Sequence, residues 1–238
     1  MRRLLVLWDL DYTLLDADGI GRELYEMAFR EMFGREMPQP GSMAGRTDRA
    51  IATEVLTLAG VPRPGRRVDE FHALMAARAP GLAELATERV RALPGAAQAL
   101  AALRDGQAGP GVVQSLLTGN IRALAEVKIG PLGLAGHLDL DIGAYGDDVH
   151  EVRAELVAVA RRKAALVYGD GFGGQATVLV GDTPLDIGAA LAAGARAVGI
   201  ATGQFSAAEL AASGAHAVLR DLADTGQVLA AIFSEPAP

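Results

Sequence analysis

The sequence predicts an α/β fold: a parallel sheet flanked by helices, with an α-helical block inserted after the first strand. Three observations predict it. The wholly apolar run Leu4-Leu5-Val6-Leu7-Trp8 has the composition of a central strand buried on both faces. Residues 16–92 carry helical patterns and no strand alternation. After Leu93-Pro94-Gly95, short apolar runs alternate with helical patterns, as in a parallel sheet covered by helices.

The elements follow in order. A turn around Asp16-Ala17-Asp18-Gly19 leads to an amphipathic helix carrying Leu24, Met27, Ala28 and Phe29, which ends near Gly34. Pro38, Pro40 and Gly41 make a loop. Thr47 or Asp48 can cap a second helix that carries Ile51, Val55 and Leu58 and stops at Gly60. Another loop at Pro62, Pro64 and Gly65 precedes one or two helices over residues 68–92, broken at Pro80-Gly81. A helix then runs to about Leu103. Strands are expected over 112–117, 138–142, 177–180, 195–200 and 216–219, and helices over 121–128, 152–166 and 184–193, with a closing helix to about Phe233. The Ser-Glu-Pro-Ala-Pro tail is expected to fray. The division this implies is a core of residues 1–15 and 94–238 and a helical segment of residues 16–93.

Composition narrows the function. The chain has 238 residues, 50% hydrophobic and 21% charged, enough for a sizeable core. A net charge of −7 without a dense basic run disfavours duplex nucleic acid as a partner. With no cysteine, disulfides, thiolate metal sites and cysteine nucleophiles are excluded, which fits a cytoplasmic protein. Met1-Arg2-Arg3 and the apolar run behind it are too short for a signal peptide. No stretch approaches the roughly 20 apolar residues of a membrane span. The oligomeric state is left open.

Polar residues recur where apolar strands end. The first strand opens into Asp9-Leu10-Asp11-Tyr12-Thr13. Carboxylates so close repel by roughly 4 kcal/mol at about 4 Å and an effective dielectric of about 20, so a cation or a proton belongs between them. A metal-assisted reaction on a phosphate is a natural use; a pair of turn carboxylates is the plain alternative. The second strand end, Leu116-Leu117-Thr118-Gly119-Asn120, offers a hydroxyl and backbone N–H groups to a phosphoryl oxygen, or simply caps the next helix. The third is Val178-Leu179-Val180-Gly181-Asp182-Thr183-Pro184-Leu185-Asp186. Asp182 at the strand end and Asp186 in the first helical turn can face one cation, and magnesium suits such oxygen-only sites. Three strand ends of like character make independent accidents improbable.

Asp9-x-Asp11-x-Thr13, Thr118 and Gly181-Asp182-x-x-x-Asp186 resemble the first, second and fourth motifs of the haloacid dehalogenase-like hydrolases, in particular the phosphoglycolate phosphatase-like branch with a helical cap. The resemblance implies a Rossmann-like core and makes residues 16–93 the cap. It implies that Asp9 is the nucleophile and Asp11 the acid/base, and that Thr118, with Gly119 and Asn120, binds the transferring phosphoryl group. It also implies that Asp9, the Asp11 carbonyl and Asp182 hold Mg2+, with Asp186 in support. The third motif is usually a lysine ahead of the fourth. Lys163 looks too close to Gly181 and Lys128 too early, so Arg153 is taken as the charge that pairs with Asp9. In the cap, Arg46, Thr47 and Arg49 are candidates for reading the substrate; a capped helix start with solvated arginines is the equal alternative.

Other patterns carry less. Gly169 to Gly174 fits a dinucleotide glycine pattern but precedes a strand, so it reads as a loop. Asp139-Leu140-Asp141 reads as an exposed strand face. His72, His137, His150 and His216 lack metal-ligand spacing, and Ser115 lacks a nucleophile-elbow sequence. The implied activity is magnesium-dependent hydrolysis of a small phosphorylated metabolite. A sugar-phosphate mutase shares the core motifs, and a non-enzymatic phospho-accepting or interaction module is the rival from another class. Haloacid dehalogenation is disfavoured by Asp11, Asp182 and Asp186, and Schiff-base phosphonate cleavage by the absence of lysine from residues 14–94.

Overall fold

A computed structural model describes residues 3–104, 111–148, 152–169 and 171–234. The tail beyond Ser234, His150 and Asp170 of the glycine-rich run lie outside the described residues. Five parallel strands form the sheet: β1 (Leu4–Trp8), β4 (Val112–Leu116), β5 (Thr177–Gly181), β6 (Arg196–Ile200) and β7 (Ala217–Leu219), in the order β4-β1-β5-β6-β7. This is the Rossmann-like α/β architecture that the sequence predicts. In β1, Leu5, Val6, Leu7 and Trp8 are fully buried. The period of two sends Val6 and Trp8 into one core with Leu24, Phe29, Leu100 and Val228, and Leu5 and Leu7 into another with Leu156, Val157, Ile187 and Leu210. The Trp8 indole N–H is satisfied by Gln114 Oε1 at 3.1 Å. Strand β1 lies between β4 and β5, pairing Trp8 with Leu116 on one side and Val180 on the other. Three strand ends therefore come together at one edge.

Between β1 and β4 the chain builds α1 (Ile20–Phe33), α2 (Asp48–Leu58), α3 (Val68–Arg78) and α4 (Ala83–Arg89), then α5 (Ala96–Arg104). Gly34 ends α1 in the left-handed region that the sequence signal required. A 3-10 turn over Ala79–Leu82 separates α3 from α4, as Pro80-Gly81 predicts. The expectation of a wholly helical segment misses one feature. β2 (Leu15–Asp16) and β3 (Arg91–Ala92) pair antiparallel where the chain leaves for the helices and returns. Two residues per strand are too few to show alternation.

The second half contains α6 (Arg122–Ile129), α7 (Arg153–Tyr168), α8 (Pro184–Ala192), α9 (Ala207–Ala212) and α10 (Thr225–Phe233). Two expectations are corrected here. Residues 138–142 are not a strand: Leu140–Ile142 is a 3-10 turn whose cap, Asp139, accepts from the Asp141 N–H at 3.1 Å. The alternation of Leu and Asp there reflects a local cap, and Asp139 also accepts from the Tyr168 hydroxyl. Helix α9 was not anticipated, although Ser206 and Glu209 form a capping box that marks its start. Among the described residues no helix is long and apolar enough to cross a membrane.

Candidate active site

The ends of β1, β4 and β5 converge as their sequences suggest. The Asp9 N–H donates to Val180 O at 2.8 Å and the Leu117 N–H to Trp8 O at 2.8 Å, so the ladder carries both residues to the sheet edge. Asp9, Asp182 and Asp186 are buried there, and one carboxylate oxygen of each lies within 4.8 Å of the others. Asp186 is fixed from its own helix: its Oδ2 accepts from the Thr183 hydroxyl at 2.7 Å and the Thr183 N–H at 3.1 Å, a capping box at the start of α8. Gly181 and Gly203 are small by necessity. A Cβ on Gly203 would sit 1.8 Å from Asp182 Oδ2, and one on Gly181 2.3 Å from the Asp186 carboxyl carbon.

One buried cation serves this cluster. Arg153, the first residue of α7, places one guanidinium nitrogen 2.6 Å from Asp9 Oδ1 and 2.6 Å from Asp186 Oδ1. It also donates to Leu117 O and to Gly45 O, each at 3.3 Å. Three carboxylates around one guanidinium leave an excess of negative charge. Burial is the main reason that the Asp9 and Asp182 carboxyls are pushed well above the usual carboxylate range; neighbouring carboxylates add to it and Arg153 opposes it. An oxygen-only, buried, charge-rich cluster is suited to a hard divalent cation. The residues present could therefore hold a metal ion.

A second cluster surrounds Asp11. Lys128 Nζ lies 2.8 and 2.7 Å from the two Asp11 oxygens and donates to Asn120 Oδ1 at 2.8 Å. Asn120 Nδ2 in turn donates to Asp11 Oδ2 at 2.7 Å and Thr118 Oγ1 at 2.9 Å. The turn that presents Asp11 is tight: Tyr12 has φ 57°, a conformation uncommon for a residue with a side chain, and its carbonyl accepts from the Thr202 hydroxyl. Arg153 thus stands where the sequence argument put it, at Asp9. Lys128, set aside there as too early, enters the site through Asp11 instead. Lys163 is elsewhere, bonded to Gly143 O and Asp148.

The inserted helices close onto this edge through Asp48. Its N–H donates to Gly119 O at 2.7 Å, its Oδ2 accepts from the Ile121 N–H at 2.7 Å, and the Tyr25 hydroxyl donates to its Oδ1 at 2.9 Å. Gly119 allows the approach, since a Cβ there would lie 1.9 Å from Arg46 O. The result is a cavity of about 790 Å³. Asp9, Asp11, Thr118, Gly119, Asn120, Lys128, Arg153 and Asp182 line its core side, and Tyr25, Met43, Arg46 and Asp48 its helical side. The cap candidates divide. Arg46 reaches the cavity but is paired with Glu54 at 2.5 Å. Thr47 caps α2, accepting from the Ala50 N–H, and Arg49 pairs with Asp69; neither is among the lining residues. Sequence reasoning overlooked Tyr25, whose hydroxyl bonds to Asp48 across 23 residues, and took Asp48 as a helix cap, because its contact with Ile121 joins positions 73 residues apart.

These features agree with the comparisons to known proteins. The family model of haloacid dehalogenase-like hydrolases matches residues 6–191, and the chain belongs to that family of hydrolases. A hydrolase from Pseudomonas syringae is similar in structure, with TM-score 0.69 and 21% identity over 98% of this chain and 100% of that one. A predicted phosphatase from Clostridium acetobutylicum follows at TM-score 0.66 and 17% identity, covering 96% and 99% of the two chains. A proposed beta-phosphoglucomutase from Bacteroides vulgatus has TM-score 0.64 and 17% identity over 98% and 91%. No curated protein matches the chain.

Proposed function

We propose that the protein is a magnesium-dependent phosphatase that hydrolyses a small phosphate monoester through an aspartyl-phosphate. The observation that carries this reading is the pairing of Asp9 with Arg153 at 2.6 Å beside Asp182 and Asp186, on the wall of a cavity. Asp9, the Asp11 carbonyl and Asp182 would hold Mg2+, with Asp186 fixing Arg153 beside them. Bound there, the ion would offset the charge of the carboxylates and of the phosphoryl oxygens.

The chain's own residues divide the remaining work. A carboxylate oxygen of Asp9 attacks phosphorus, a new P–O bond forms, and the bond to the leaving alcohol breaks. Asp11 gives that alcohol its proton. Water then attacks the same phosphorus, Asp11 takes a proton from it, and the Asp9 carboxylate is released with inorganic phosphate. Arg153, Thr118 and the N–H groups of Gly119 and Asn120 stabilise the equatorial oxygens in both halves. The helical segment 16–93 acts as a cap over the leaving group, with Arg46 and Tyr25 on its inner face. Its contact with the core through Asp48 supports a role in excluding water. We place the reaction in the cytoplasm, where charged phosphorylated metabolites are retained.

The test is phosphate release from a panel of phosphorylated metabolites with Mg2+, with EDTA, and with Mg2+ restored. Release that needs Mg2+ is expected. Full activity in EDTA, or no release from any ester, contradicts the proposal. Transfer of the phosphoryl group to a second sugar hydroxyl instead of water would make the protein a mutase.

A further inference from the structure

We propose that Lys128, acting with Asn120, is a positioning residue that fixes the Asp11 carboxyl group, which gives its proton to the leaving group and regains one from the attacking water. The inference rests on the phosphatase reading above and adds a residue to it. The Lys128 side chain is 4% exposed, although nothing about an amphipathic helix such as α6 requires an ammonium on its buried face. Taking that ammonium out of water opposes folding, and an apolar side chain of similar length would fill the same space without that cost. What the charge provides is orientation. Lys128 holds both Asp11 oxygens, at 2.8 and 2.7 Å, and Asn120 holds Oδ2 from another side.

Asp11 needs such a hold. It follows Trp8, the last residue of β1, by three positions, and its side chain is 32% exposed, so rotamers pointing away from the cavity are open to it. Lys128 and Asn120 are also bonded to each other, and Asn120 reaches Thr118 Oγ1. The network therefore ties the proton donor to the hydroxyl proposed to bind the phosphoryl group. The distance between the donor and the ester oxygen is thereby set by one rigid unit. Arg153 serves Asp9 and Asp186, and Lys128 serves Asp11: two buried cations with separate carboxylates.

The prediction is a leaving-group effect. p-Nitrophenolate leaves without a proton, whereas an aliphatic alkoxide needs one. In single-turnover mixing with Mg2+, Lys128→Met should slow cleavage of the fastest aliphatic ester of the panel by about 10- to 100-fold. The first-turnover release of p-nitrophenol from p-nitrophenyl phosphate should stay within about threefold of the unaltered protein. Lys128→Arg should recover part of the loss, because the charge is kept but its geometry changes. Lys128→Gln, which keeps a polar side chain of similar reach without the charge, should show the same selectivity, and it decides the matter if the Lys128→Met protein does not fold. Equal losses for both esters would mean a merely structural role and overturn the proposal. So would a rise in KM alone, which would make Lys128 a substrate contact, or no loss for either ester. Failure of all variants and the unaltered protein to release phosphate would instead sink the phosphatase reading itself.

Discussion

Arg153 and Arg78 each hold a carboxylate at 2.6 Å, yet the two acids are shifted in opposite directions. Arg78 and Glu31 lie on the outer face of the inserted helices, with side chains 47% and 43% exposed. The hydrogen bond from Arg78 is the largest influence on Glu31 and lowers its pKa. Arg153 and Asp9 are 6% and 7% exposed at the sheet edge, and there burial outweighs the guanidinium, so the Asp9 carboxyl rises. Three further pairs on the helical segment, Arg30–Glu36, Arg67–Glu70 and Arg89–Glu23, are of the exposed kind. An ion pair in water contributes little and is screened by salt. A buried carboxylate cluster costs stability and persists only where other demands maintain it. Distance alone does not separate the two kinds; burial does.

The contrast can be pressed at three points. The largest expected effect is at Arg153. Arg153→Ala should lower kcat by about 100-fold and raise KM, with Arg153→Lys recovering only part because the fork is lost. Steady-state kinetics on the panel substrate would check this, and unchanged parameters would remove Arg153 from the site. At Asp48, burial raises the carboxyl to about 6, against Ile121, Lys128 and Tyr25, which favour its charged form, while Asp11 adds to the rise. A folded-state pKa above the unfolded one means that stability is lost as pH rises from about 4 to about 6. Asp48→Asn removes that slope while still able to accept from the Ile121 N–H. Its stability in urea should therefore gain on the unaltered protein over that window, by about 3 kcal/mol at most. A constant difference across the window would mean that Asp48 does not titrate there. Smallest of these is Arg78→Ala, which should leave both the thermal midpoint and kcat unchanged. A clear loss of either would show that exposed pairs on the helical segment matter more than their solvation suggests.

Much of the site was legible because strand ends are legible. An apolar run closing on Asp, Thr or Asp again fixes both the direction of the residue and the edge it reaches, so Asp9, Thr118 and Asp182 could be read without coordinates. Arg153 could be chosen from chain order once the family resemblance called for a cation ahead of the fourth motif. Lys128 could not, because the question asked of it was whether it reaches Asp9, and its partner is Asp11. Asp48 offered only a helix-cap signal; its contact with Ile121 joins two segments that the sequence keeps far apart. The paired residues of β2 and β3 are too short to carry a period. Over residues 138–142, alternating Leu and Asp imitated a strand because a side chain capping a 3-10 turn can produce the same spacing.

The central claim is that Asp9 carries the phosphoryl group. Rapid mixing with Mg2+ and a turned-over ester, followed by acid quench, borohydride reduction and peptide mass spectrometry, tests it directly. An aspartyl-phosphate is reduced to homoserine, so the account predicts homoserine at position 9 during turnover and none in the Asp9→Asn protein. Reduction at another carboxylate, or turnover with no reducible intermediate at position 9, would contradict it.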